Sequence, residues 1–339
     1  MSAEPGDGVT PYWIDTDPGV DDALALLLAV RAVGSRVVGC STVQGNVDEP
    51  AAARNFSRVL ATFDRHGLLP VGWRPVLARG SRLPLARGKA LRATAMHGVG
   101  GLGELAWEPA APWDHFGDEP AAVAICAAAR THPDLHLVCF GPLTNVALAL
   151  HLDPELTTRL RRVTVMGGSL RAGGNETLAA EFNFAADPEA ARAVLEADFE
   201  ELRLVPIDGC QTARMTADDV ARMEAVGSPA ASVACEIVGQ WRARIERGGQ
   251  ALYDALAWLL ALRPELGTWK AAYVTVDTGR DVAHGASLAD WRGRSGKTPN
   301  LRAAMAVDRR AVMDVLCGLL VDATDGGADG RDGAGAGSD

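Results

Sequence analysis

Tyr12-Trp13-Ile14-Asp15-Thr16-Asp17-Pro18-Gly19-Val20-Asp21-Asp22-Ala23-Leu24-Ala25-Leu26-Leu27-Leu28 is the stretch whose reading decides how this chain folds. A short apolar run ends among acidic residues, a Pro-Gly pair turns the chain, and a longer apolar run follows at once. That is a strand, a tight turn and a helix. Outward from it the same alternation recurs. Residues 37–42, 135–140, 163–166 and 202–207 read as strands, and 51–63, 144–150 and 188–197 read as helices. The rhythm predicts an α/β fold, a single Rossmann-like domain whose mostly parallel central sheet is flanked by helices. Residues 216–262 read instead as consecutive helices, including 232–247 before Gly248-Gly249, a helical segment that either caps the site or completes the fold. Two long Gly/Pro-bearing loops, 79–118 and 167–184, are expected at the carboxyl ends of strands, where such sheets place function.

With 339 residues, 48% of them hydrophobic, the chain can bury a full core. The domain is expected over 11–322, between a polar tail at 1–10 and a Gly/Ala/Asp-rich tail at 323–339, both too poor in apolar groups to offset ordering entropy. A net charge of -10, from 33 basic and 43 acidic residues without a basic run, argues against nucleic acid as a partner. Cysteines 40, 126, 139, 210, 235 and 317 show no CxxC pairing and read as reduced core thiols. Neither an export signal nor a membrane-length apolar segment is evident, so the expected setting is the cytoplasm, away from membranes.

Asp15, Asp17, Asp21 and Asp22 crowd one strand-to-helix turn. Like charges so close raise one another's pKa unless a positive charge lies among them, and a divalent cation is the simplest one. Oxygen donors without a neighbouring His or Cys favour a hard ion, Ca2+ or Mg2+, over zinc. The plainer alternative makes Asp21 and Asp22 first-turn helix residues and Asp15 and Asp17 solvated turn residues. It leaves the desolvation of the cluster at a strand end uncompensated.

The turn resembles the DxDPGxDD signature of the inosine-uridine-preferring nucleoside hydrolases, and the match at 15–22 is complete. Further segments follow in that family's order: Gly45-Asn46, Gly141-Pro142-Leu143-Thr144-Asn145, Val165-Met166-Gly167-Gly168, Gly174-Asn175, Glu181-Phe182-Asn183 and Tyr253-Asp254-Ala255-Leu256-Ala257. The resemblance implies a nucleoside N-ribohydrolase with one Ca2+ per subunit, held by Asp17, Asp22, Asp254 and the backbone carbonyl of Thr144. Two ribose hydroxyls and a water would complete the ion's coordination, and Asp17 would be the general base. Asp21 would accept from the ribose 2-hydroxyl. Asn46, Asn175, Glu181 and Asn183 would bind the remaining hydroxyls and the ring face, with Met166 beneath the sugar. Release of the base would pass through a ribosyl oxocarbenium-like transition state. The resemblance further implies a role in nucleoside catabolism or purine salvage, and a homodimer or homotetramer.

Many relatives carry His before the last metal-binding Asp, to assist the departing base; here Tyr253 stands there. A tyrosine, with a usual pKa near 10, is a weaker acid. Its ring would stack on a base and slightly favour purine nucleosides, and Trp241, on a predicted helix, reads equally as a second stacking surface or as part of the core of the helical region. His97, in Met96-His97-Gly98-Val99-Gly100-Gly101, resembles the family's HGxxG loop near the substrate. A competing DxD phosphatase reading lacks a lysine beside a strand-end acidic motif, since only Lys89, Lys270 and Lys297 are present. A non-catalytic nucleoside-binding homologue that keeps the metal site is the remaining alternative, with a transferase use of the same ribosyl cation behind it.

Overall fold

A computed structural model describes residues 10–321. Apart from Thr10, the expected tails lie outside the described residues. From the N-terminus, β1 (Tyr12–Thr16) leads into α1 (Val20–Val33), β2 (Val37–Thr42), α2 (Glu49–Arg65) and β3 (Val76–Arg79). A short α3 (Thr94–His97) precedes β4 (Gly117–Pro120), α4 (Ala121–Thr131), β5 (His136–Cys139), α5 (Thr144–Leu152) and α6 (Leu156–Arg159). Next come β6 (Arg162–Met166), α7 (Phe182–Ala186), α8 (Pro188–Leu195), β7 (Glu201–Val205) and α9 (Ile207–Cys210). The helical stretch comprises β8 (Arg214–Met215), α10 (Ala217–Val226), α11 (Pro229–Gly239), α12 (Arg242–Glu246), β9 (Gln250–Ala251) and α13 (Asp254–Leu262). The chain closes with β10 (Gly267–Val276), β11 (Ser287–Asp290), β12 (Leu301–Val307) and α14 (Arg309–Leu320).

The strands form one ten-stranded sheet in the order β11-β10-β12-β7-β6-β5-β1-β2-β3-β4, and β8 pairs with β9 separately. Pairing is parallel from β4 across to β12 and antiparallel only where β10 meets β12 and β11. The chain first builds outward from β1 through β2 to β4, then returns to the other side of β1 with β5. Such a reversal opens a crevice beyond the carboxyl ends of the two central strands, because the connections leave in opposite directions. Asp17 follows β1 and Phe140 follows β5 at that point.

Both faces of the central strands are covered, so β1, β2, β5 and β6 are buried almost throughout rather than on alternate positions. Along β1, Tyr12 and Ile14 join the cluster that contains α1, α11, α13 and α14, while Trp13 joins the cluster with α4, α5 and α8. Within α1, Ala23 through Ala29 are buried all round, since α11, α13 and α14 pack against it as well as the sheet. That buried helix holds the acidic turn at its own N-terminus firmly against the strand ends. Where 232–247 was expected as one helix, it breaks after Gly239, and Trp241 begins a separate short turn.

Candidate active site

Asp17 lies at the base of the crevice, 1% exposed, with its Oδ2 accepting from the Asn46 backbone N–H at 2.7 Å. Gly45 and Gly141 press on it from either side. A Cβ at Gly45 would fall 2.0 Å from Oδ2, and one at Gly141 2.5 Å from Oδ1, so neither position tolerates a side chain. Burial, followed by the neighbouring Asp22, pushes Asp17 well above the usual carboxylate range. Asp22 opens the first turn of α1 and accepts from the Gly19 backbone N–H at 2.8 Å, from Thr16 Oγ1, and from Asn46 Nδ2 at 3.2 Å. Burial and Asp21 raise its pKa too. Asn46 thus binds Asp17 through its backbone and Asp22 through its side chain.

Carboxylate oxygens of Asp21, Asp22 and Asp254 all lie within 4.8 Å of one another. Asp254 is the first residue of α13, and burial together with Asp21, Asp22, Asp17 and Glu181 raises it well above its usual value. Asp21 Oδ1 is buried with no hydrogen-bond donor, and His97 Nδ1 stands 3.7 Å from it. Acidic groups gathered at this depth with an orphaned oxygen fit a cation, and an all-oxygen donor set fits a hard one. Asp15 takes no part. It faces the other side of β1, accepts from Ser41 Oγ and from Asn145 Nδ2 at 2.8 Å, and burial pushes it up to about 7.

Above the carboxylates is a cavity of about 250 Å³, lined by Asp21, Asn46, His97, Met166, Asn175, Glu181, Asn183, Tyr253 and Asp254 among the expected residues. Its walls come from strand ends and from the 167–184 loop, as expected of long loops at carboxyl edges. Glu181 caps α7, accepting from Asn183 N–H at 3.0 Å, Gly168 N–H at 2.9 Å and Phe184 N–H at 3.3 Å; burial still raises it to about 7. Asn183 Nδ2 donates to the Phe140 carbonyl at 2.6 Å and reaches Met166 Sδ at 3.4 Å. Asn175 Oδ1 accepts from Phe182 N–H at 2.9 Å, and His97 Nδ1 accepts from Val20 N–H at 3.3 Å. Tyr253 lies half-buried beside Asp254, its hydroxyl pushed up to about 12 by burial, then by Cys210, Asp21 and Glu181.

Two expected residues lie elsewhere. Thr144 opens α5, where its carbonyl points along the helix axis, and its hydroxyl donates to Asp187 at 2.5 Å. Trp241 is 3% exposed and packs in the core rather than at the cavity, which corrects its assignment to base stacking. Unanticipated wall residues are Phe140, Phe182, Glu176 and Arg92. Asn55, on α2, was also missed: its Nδ2 donates to Pro18 O at 3.0 Å and Gly100 O at 2.8 Å, tying the glycine loop to the acidic turn. A polar residue on the inner side of a helix was its only sequence signal.

Fold and site together define an α/β protein with a carboxylate-floored cavity at a strand-order reversal, suited to a small polyhydroxylated ligand and a hard cation. The sequence model of inosine-uridine preferring nucleoside hydrolases matches residues 12–314, and the chain belongs to that family. It is 33% identical over 321 residues to a pyrimidine-specific ribonucleoside hydrolase, RihA, of Salmonella enteritidis, covering 91% of this chain and 98% of that one. A non-specific ribonucleoside hydrolase, RihC, of Escherichia fergusonii is 32% identical, with 93% and 99% covered. Among solved structures, an inosine-guanosine nucleoside hydrolase superposes with a TM-score of 0.82 at 27% identity, covering 92% of this chain and 98% of that chain. This chain is accordingly a ribonucleoside hydrolase by family, acting on N-glycosyl compounds. Among the described residues no helix is long and apolar enough to cross a membrane.

Proposed function

We propose that the protein hydrolyses ribonucleosides to free base and ribose with one calcium ion at the Asp17, Asp22 and Asp254 carboxylates, Phe140 supplying the carbonyl first assigned to Thr144. The observation that supports this reading most is the gathering of Asp22 and Asp254, beside Asp21, under a nucleoside-sized cavity, with Asp17 joined to Asp22 through Asn46. When bound, the cation orients two ribose hydroxyls and lowers the pKa of the attacking water. Asp17, cradled between glycines, takes the water's proton. Asp21 accepts from the 2-hydroxyl, and Asn46, Asn175, Glu181 and Asn183 hold the other hydroxyls and the ring face above Met166. Carboxylates around the ring favour the positive charge that develops on ribose as the base departs.

The purine preference expected from two aromatic rings now rests on Tyr253 alone, since Trp241 is in the core. A protein that accepts both purine and pyrimidine nucleosides, in the cytoplasm and as a homodimer or homotetramer, is the reading we carry forward. Its test is release of free ribose from inosine, adenosine, guanosine, uridine and cytidine with calcium and after chelation. Chelator-sensitive release is the expected result; tight nucleoside binding without release would make the non-catalytic homologue correct.

A further inference from the structure

The cavity contains a cation for which the hydrolytic scheme has no task. Arg92 lines it beside Met96 and His97, on the segment that leads into α3. Its half-buried guanidinium uses only Nη1, which donates to Gln44 Oε1 at 3.3 Å and to the Leu91 carbonyl at 2.6 Å. Among the described residues no carboxylate pairs with it, so Nε and Nη2 remain available to a ligand. Gln44 is fully buried, and its Nε2 has no acceptor although its oxygen holds Arg92. An unpaired buried amide destabilises the fold, and here it accompanies a guanidinium fixed at the cavity wall. Arginine keeps its charge at any working pH and presents planar donors to oxygen acceptors.

A nucleoside offers such a donor its ribose hydroxyls, which the proposed scheme already assigns to Asp21, Asn46, Asn175, Glu181 and Asn183, or a carbonyl on the base; a nucleotide would add a phosphate. Glu176 and Glu181 line the same small cavity and would repel a phosphate, whereas the segment from Arg92 to His97 carries no acid. We propose that Arg92 recognises a carbonyl oxygen of the nucleobase and stabilises the charge that the base acquires as it leaves. The inference rests on the ribonucleoside hydrolase reading. The preferred substrates are then nucleosides of uracil, cytosine, hypoxanthine or guanine, whose carbonyls are conjugated with the glycosidic nitrogen, over adenosine, whose base has none.

In the reaction, the bond from C1 of the ribose to the base nitrogen breaks, and its electron pair goes to the base. Conjugation carries that charge toward the carbonyl oxygen, where the guanidinium donates to it. Water's oxygen bonds to C1, one of its protons passes to Asp17, and a proton returns through solvent to the base. Nucleoside and water thus give base and ribose.

The test uses the full chain with calcium and compares wild type with Arg92→Gln and Arg92→Lys. Substrates are uridine, inosine, adenosine, uridine 5-monophosphate and p-nitrophenyl ribofuranoside, whose leaving group needs no help. Arg92→Gln is expected to lower kcat on uridine and inosine about 100-fold, as removal of an anion-stabilising donor does. On adenosine and the p-nitrophenyl compound the same variant should lose no more than about threefold, which also shows that it is folded, and Arg92→Lys should recover part of the loss. Equal loss on the p-nitrophenyl riboside, unchanged kcat on uridine, or an effect confined to the 5-monophosphate would each overturn the assignment. Wild-type enzyme that cleaves none of the ribosides would instead remove the hydrolase reading beneath it.

Discussion

Asp17 lies between two glycines, each so close that a Cβ there would meet its carboxylate. As the proposed base, it should be indispensable. Asp17→Ala is expected to cut kcat by about 10²- to 10⁴-fold, the range typical of a lost general base, and activity within tenfold of wild type would contradict the assignment. Gly45→Ala tests the cradle without touching the acid. A methyl group 2.0 Å from Oδ2 must displace Asp17. Turnover should fall about as far as in the Asp17 variant, while stability falls by about 1–3 kcal/mol from overpacking. Tyr253→Ala should harm inosine more than uridine through the lost ring face, and an equal effect on both would end the stacking idea. The acids of the 15–22 turn stood out in the sequence because four of them around Pro-Gly after an apolar strand have few uses, whereas Asp254 came only from the resemblance. Arg92 and Asn55 did not stand out, because a single Arg in a loop or Asn in a helix is ordinary until the fold shows what it faces.

At the scale of elements, β1, β5 and β6 are fastened at their amino ends by His136. It stacks on Tyr12 with ring centroids 5.5 Å apart, and its Nε2 meets Thr164 Oγ1 at 2.9 Å. Burial, with Arg203 and Arg162 nearby, lowers its pKa well below 6.5. Below about pH 6.5 the unfolded chain takes up a proton that folded His136 refuses. Its contribution to stability is therefore complete above that pH and is lost as pH falls toward the folded value. His136→Phe should flatten the pH dependence of the unfolding free energy, read from urea titrations between pH 7.5 and 5.5, by about 0.7 kcal/mol per pH unit relative to wild type. An unchanged slope would mean that His136 takes up its proton as readily in the fold as in the unfolded chain. The strands of this parallel region were readable as short apolar runs. Unread were β3, β4 and α4, which border the Gly/Pro-rich 79–118 segment on its two sides. Every residue of β4, Gly-Asp-Glu-Pro, is exposed and gives no hydrophobic signal. The antiparallel β10, β11 and β12 were missed as well, because β10 is partly exposed and mixes charged with apolar positions.

On the scale of the whole molecule, the acidic site joins the N-terminus of α1 to that of α13, and the two helices pack against each other. A cation there binds only the folded chain, so calcium should raise the unfolding free energy by about 2.7 kcal/mol at a hundredfold excess over its Kd. Asp254→Asn should abolish that gain in a thermal unfolding series. A variant that keeps the full calcium-dependent shift would place the ion elsewhere. The order of motifs along the sequence made the family legible, yet which groups actually meet depended on the sheet's reversal at β1 and on the return of the chain at residue 254. Because Asp22 is synthesised early and Asp254 late, a nascent chain that has completed β1 through β7 still lacks an acid at its centre. On the proposed assignment of Asp254, translation must pass α13 before any copy can degrade a nucleoside, and a chain ending before it should carry most of the sheet and none of the activity.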